Sequence, residues 1–123
     1  MRKYKYFRLE EFDSPDVEGS GELMEHQFME RLDVCRDLCQ FPLIITSGYR
    51  TVEHNRAVGG SRNSSHLLGW AADIAVTDSQ KRYLLINAAI EAGFLRIGIG
   101  KNFLHLDCDP EKEQVCMWTY SDR

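Results

Sequence analysis

No run of apolar residues in the 123-residue chain approaches the roughly 20 that a membrane span needs. Nor does one charge dominate: 15 Lys and Arg face 19 Asp and Glu, for a formal net charge of −4. That balance argues against a broad electrostatic footprint for nucleic acid and leaves room only for a local basic patch. Low-complexity tracts, internal repeats and linkers are lacking too. Length and composition therefore fit one domain over residues 1–123. With 43% hydrophobic and 28% charged residues, the chain is globular rather than disordered in composition. The opening Met1-Arg2-Lys3-Tyr4-Lys5-Tyr6-Phe7 lacks the apolar stretch and small-residue cleavage site of a secretory signal, so the expectation is synthesis in a cytoplasm. None of the four cysteines stands in a C-x-x-C spacing. Cys35 and Cys39 fall in a helical pattern, and Cys108 and Cys116 in a region that reads as strands. All four are expected as buried thiols of a reducing compartment.

What is present reads as alternating helices and short strands. Phe28, Leu32, Cys35 and Cys39 recur at three- and four-residue spacings and predict a helix over about 23–39, closed by Pro42. Leu43–Thr46 reads as a buried strand. Thr51 is placed to cap a short helix over 52–57, with Glu53 in its first turn. Residues 59–65 form a polar loop of turn formers. Trp70–Val76 predicts the next strand. Asp78 or Ser79 then caps a helix over 80–92, with Leu84, Leu85, Ala88, Ala89 and Ala92 toward the core and Gly93 at its end. Strands are expected at 95–99, 103–108 and 115–120, the first two joined by a hairpin through Gly100-Lys101-Asn102. This order gives an α+β fold: a small domain with an antiparallel sheet and flanking helices.

The residues able to carry chemistry are few. His66 and Asp73 lie at the end of the polar loop and inside the following strand, and His105 lies in a later strand. Two imidazoles and a carboxylate suit zinc, and a catalytic zinc keeps three protein ligands and one open position. Asp73 sits among Ala71, Ala72, Ile74 and Ala75, where an ionised carboxylate is costly without a cation. Strand alternation puts His105 and Asp107 on one face, with Leu104 and Leu106 on the other. A carboxylate in that place can fix the tautomer of a ligating histidine. Taken singly, each of these residues is more often structural: a hydrogen-bonded histidine, or an aspartate paired with an arginine. Only the combination points to a metal. A serine nucleophile is disfavoured because no G-x-S-x-G elbow is present, and Gly59-Gly60 lacks the Lys-Ser/Thr of a phosphate loop.

Thr46-Ser47-Gly48-Tyr49-Arg50-Thr51, His54-Asn55, Val58-Gly59-Gly60 and Ser64–Ile74, followed by Phe103-Leu104-His105-Leu106-Asp107, resemble the zinc D-alanyl-D-alanine peptidase family. The likeness covers about residues 40–108, and Phe7–Pro15 also looks like small bacterial and phage members. It implies a small α+β domain related to the lysostaphin-type and hedgehog-like zinc domains. It implies Zn²⁺ held by His66, Asp73 and His105, with Arg50 near the substrate. The implied substrates are peptide bonds of bacterial cell-wall stem peptides, cut by a D-Ala-type carboxypeptidase or an endopeptidase. Small members of this kind often occur in phages as lysis enzymes. A monomer acting on the cell wall after release is the expectation, with no nucleic-acid partner.

Hydrolytic relatives usually carry an acid three positions before the last histidine ligand, and here that position is Asn102. Asp107 is the nearest acidic substitute, as base or as a partner behind His105, and His54 is a further candidate. Ser47, Tyr49, Ser64 and Trp70 are candidate substrate contacts, whereas Trp118 and Tyr120 read as packing or edge residues. The Asn102 position also motivates a competing expectation: a non-catalytic zinc domain that binds peptidoglycan or a protein partner.

Overall fold

In the computed structural model, which describes residues 3–121, eight main elements follow in the order α1 (His26–Cys39), β1 (Ile45–Ser47), α2 (Val52–Ala57), β2 (Ala71–Ala75), α3 (Ser79–Glu91), β3 (Arg96–Ile99), β4 (Phe103–Asp107) and β5 (Cys116–Thr119). Short 3-10 turns occupy Leu9–Phe12, Ser20–Leu23 and Ser65–Leu68. The five strands form one sheet in the order β1-β2-β4-β3-β5. Every neighbouring pair is antiparallel except β3–β5, which is parallel. The α+β class is as expected, and the sheet is mixed rather than wholly antiparallel. A parallel neighbour needs a crossover instead of a tight turn, and the chain between Asp107 and Cys116 provides it.

Strand alternation divides the sheet into two chemically different faces. Ala72, Ile74, Leu104, Leu106 and Ile97 are buried on one side and join Phe28, Met29 and Leu32 of α1 and Leu85, Ala88 and Ala89 of α3. The Phe28 and Phe94 rings meet edge-on at 5.6 Å, locking α1 against the turn after α3. The other face is polar. Its central row crosses the whole sheet through paired positions: Ser47 beside Asp73, Asp73 beside His105, His105 beside Gly98, and Gly98 beside Trp118. The row alongside it holds Asp107, Arg96 and Cys116.

Local chemistry sets the element ends. Thr51 caps α2 by accepting from the His54 backbone N–H at 3.1 Å, and Asp78 caps α3 by accepting from Gln80 at 3.0 Å. Helix α1 begins at His26 rather than near residue 23, because Ser20–Leu23 is taken by a 3-10 turn. It ends at Gln40 in the left-handed region, φ 62°. Strand β1 starts at Ile45, since Ile44 is 66% exposed and only its carbonyl joins the sheet edge. Leu84 lies on the outer face of α3, 48% exposed, not in the core.

The four cysteines are free thiols, but only Cys35 and Cys39 are buried; Cys108 and Cys116 are half-buried. Burial pushes the Cys35 thiol up to about 12 and the Cys108 thiol up to about 11, so neither is a thiolate nucleophile at neutral pH.

The turn that carries His66 closes on Gly69, whose φ is +77°. A Cβ at residue 69 would lie 2.3 Å from the Leu23 carbonyl oxygen and 3.0 Å from the Met24 Cα. Gly69→Ala should therefore destabilise the fold by at least about 1–2 kcal/mol from the backbone conformation alone. The midpoint of a urea unfolding curve, compared with wild type, measures this.

Candidate metal centre

The sheet brings Asp73 and His105 face to face as cross-strand partners, and the turn at Ser65–Leu68 lowers His66 onto them. His66 is fixed at three points. Its backbone N–H donates to the Ser64 hydroxyl at 3.2 Å, its carbonyl accepts from the Arg50 N–H at 3.1 Å, and its ring Nδ1 lies 2.8 Å from the Gly48 carbonyl. A carbonyl can only accept, so the His66 proton resides on Nδ1 and the Nε2 lone pair faces inward. His105 is fixed in the opposite sense: its Nε2 donates to Asp107 Oδ2 at 2.7 Å, which turns Nδ1 inward.

Three donor atoms therefore converge: His66 Nε2, Asp73 Oδ1 and His105 Nδ1, all within 4.8 Å of one another and all on buried residues. Asp73 Oδ1 lies 3.2 Å from His66 Nε2 and 3.0 Å from His105 Nδ1. Nitrogen and oxygen ligands about 2.0–2.1 Å from a tetrahedral zinc lie about 3.3 Å apart, so the donor set fits such an ion. The proton positions make the same point. With the His66 proton committed to Gly48, Nε2 has none to offer Asp73. A lone pair and a carboxylate 3.2 Å apart need a cation between them.

Asp73 divides its two oxygens. Oδ1 belongs to the donor cluster, and Oδ2 accepts from Arg50 Nη2 at 3.2 Å. Arg50, 5% exposed, is itself aimed by Ser47, whose hydroxyl accepts from Nε at 2.9 Å, and by Asn55, whose Oδ1 accepts from Nη1 at 3.1 Å. Burial opposes charge on Asp73, but the hydrogen bond from His105 outweighs it and holds the carboxyl below the ordinary range. Burial lowers His66, so its ring is neutral at pH 7. Burial also opposes charge on His105, yet Asp107 and Asp73 on its two nitrogens raise its pKa.

A cleft of about 210 Å³ opens against these donors, with Arg50, Ser64, Arg96, Trp118 and Tyr120 on its walls. Several expected contacts take other places. Tyr49 and Trp70 pack against the hydrophobic core and do not line the cleft. The Ser47 hydroxyl serves Arg50, and the Ser64 hydroxyl, although at the cleft, holds the His66 turn. Asp107 stands behind His105 with its oxygens engaged: Oδ2 by His105, and Oδ1 by Arg96 Nε at 2.7 Å and by the Asp109 N–H at 3.2 Å. Both oxygens are thus occupied, as those of a carboxylate that orients a ligating histidine would be. His54 lies beside Asp16 and away from the cleft, and the side chain of Asn102 is exposed while its carbonyl accepts from Val76.

The residues that sequence reasoning passed over are Asn55, Arg96, Asp109, Trp118 and Tyr120. Arg96 and Trp118 share the alternation of Gly98, but their relevance depends on pairing with β4 and β5 that no sequence period reveals.

The fold and donor set form a candidate metal centre, and the family match makes the class a metallopeptidase. The Peptidase M15 family profile matches residues 5–107, and the chain belongs to that family, whose members are typically zinc-dependent. No curated protein matches the chain. Residues beyond 107, including β5, lie outside the family match.

Removing the charge behind His105 tests the orienting role. Asp107→Asn should weaken zinc binding roughly 10–100-fold without unfolding the protein, as read by competition with a chelator. The pH dependence of metal uptake follows from His105. Its folded pKa is raised above the ordinary value near 6.5, so its charged form stabilises the metal-free fold below that value. This contribution is lost as pH rises through the raised pKa. Zinc must displace the Nδ1 proton, so affinity should rise through the same window. Calorimetry in buffers of differing ionisation enthalpy should show roughly one proton released from the protein per zinc bound at pH 6, and none from the protein in a His105→Gln control.

Proposed function

We propose that this protein is a zinc peptidase that cuts peptide bonds in the stem peptides of bacterial cell walls, at D-alanine-type sites, as a carboxypeptidase or an endopeptidase. The observation that carries this reading is the convergence of His66 Nε2, Asp73 Oδ1 and His105 Nδ1, protons turned away, beneath a cleft that Arg50 also enters. When bound, zinc supplies a Lewis acid and lowers the pKa of a coordinated water toward about 7. The chain's own residues do the rest. Asp107 and the Gly48 carbonyl keep both imidazoles in the ligating tautomer. Arg50, held by Ser47, Asn55 and Asp73, presents fixed positive charge where the attacked carbonyl oxygen becomes negative, and needs no rearrangement to do so.

The proton of the attacking water needs an acceptor. Among the described residues, Asp73 and Asp107 are the two carboxylates on the cleft wall, and each is already paired. This favours a second reading in which the domain binds cell-wall peptide without cutting it. The two readings separate on one measurement. In the catalytic case, purified peptidoglycan incubated with the zinc-loaded protein yields new free amino groups and shortened stem peptides by mass spectrometry, and His66→Ala yields none. In the binding case, the protein is retained on peptidoglycan while amine release stays at the level of the blank.

Arg50 gives a finer test. Arg50→Lys keeps a charge but loses the planar fork that bridges Ser47, Asn55 and Asp73. It should lower kcat by about 10²–10³-fold, with zinc content near that of wild type. Steady-state kinetics on an acylated D-Ala-D-Ala peptide, with metal analysis of the same samples, measures both.

A further inference from the structure

The cleft is lined by Ser61 and Ser64 of one loop, by the cationic Arg50, Arg96 and Lys112, and by an aromatic side formed by Trp118 at the end of the cross-sheet row and Tyr120 just beyond it. The Trp118 ring lies 5.5 Å from the His105 ring, so this side adjoins a ligand of the metal centre directly.

Three features hold the aromatic side in place. Residue 98, between His105 and Trp118 in the row, is glycine. A Cβ there would stand 2.7 Å from Trp118 Nε1 and 2.8 Å from the Tyr120 hydroxyl, so any side chain would lift both rings away from His105. Arg96 lies over the indole, its guanidinium 4.9 Å from the ring centroid, while its Nε is fixed on Asp107. Tyr120 is braced by Phe103, with ring centroids 5.2 Å apart. None of this serves the hydrophobic core, which occupies the opposite sheet face. Half-buried aromatic rings kept beside a metal ligand and on a cleft wall present apolar surface to whatever enters.

We propose that Trp118 and Tyr120 are the specificity-determining wall of this cleft. They receive the methyl-bearing flank of the peptide beside the bond to be cut and exclude a bulky side chain there. A cleft of about 210 Å³ is smaller than the roughly 300–1,000 Å³ of pockets that enclose drug-sized ligands, which suits small side chains. The inference rests on the peptidase reading above and adds Trp118 of β5 and Tyr120 just after it, both outside the family match, to the substrate site.

The test uses the zinc-loaded chain and the synthetic stem pentapeptide L-Ala-γ-D-Glu-L-Lys-D-Ala-D-Ala. The sequence has two tryptophans, so Trp70→Phe leaves Trp118 as the single indole reporter. Its emission should change saturably as the pentapeptide is added. Trp118→Ala, in the otherwise native chain, should raise KM about tenfold with kcat and zinc content little changed. Trp118→Phe should recover most of the loss, and Gly98→Ala should reproduce it by displacing the rings. Wild type should discriminate against a pentapeptide with D-Leu in place of the penultimate D-Ala more strongly than Trp118→Ala does. An unchanged KM in Trp118→Ala, or a silent Trp118 while the peptide is being cut, overturns the wall and leaves the peptidase reading standing. A wild-type protein that neither cuts nor binds the pentapeptide overturns both.

Discussion

An ionised carboxylate inside a sheet is tolerable only when its charge is met from more than one side, and Asp73 is the place where this chain meets that demand. One oxygen accepts from the guanidinium of Arg50, and the other lies with the two imidazole nitrogens where a cation would sit. Each of those partners is in turn held from behind: Arg50 by Ser47 and Asn55, His66 by the Gly48 carbonyl, and His105 by Asp107. The geometry of the centre therefore follows from the cost of leaving one buried charge unpaired.

The supporting shell extends well past the donors. Asp107 is gripped by Arg96, whose Nη1 also donates to the Glu113 carbonyl and so ties the crossover before β5 to the rear of His105. Ser65, next to His66 in the same turn, donates to Asp109 at 2.8 Å, and the Asp109 backbone N–H returns to Asp107. Buried polar networks of this kind are costly when half-satisfied and rigid when complete. Here the members close on one another around the metal donors, which gives the ligating side chains little freedom to turn away.

Much of this was legible in the sequence, for identifiable reasons. The strand around His105 alternates strictly, so which residues face the core and which face the site could be read from period two. The caps at Thr51 and Asp78 follow from side-chain chemistry acting within three residues. The donor triplet was visible because an aspartate among alanines is anomalous without a cation. What escaped was set at long range. The parallel attachment of β5 to β3 depends on a crossover that has no local signature, so Trp118 and Tyr120 read as edge residues although they wall the cleft. Tyr49 and Trp70 stand beside motif residues in sequence, yet the backbone turns them into the core. Asp107 drew attention as an acid, and only its contacts with Arg96 and His105 show that its lone pairs are already engaged.

Strand β5 lies at the margin of the sheet and is joined to it through a single ladder. The ladders that align Ser47, Asp73, His105 and Gly98 belong to the other four strands. Mutational drift in the last strand would thus reshape one wall of the cleft while the row that carries Asp73 and His105 keeps its register.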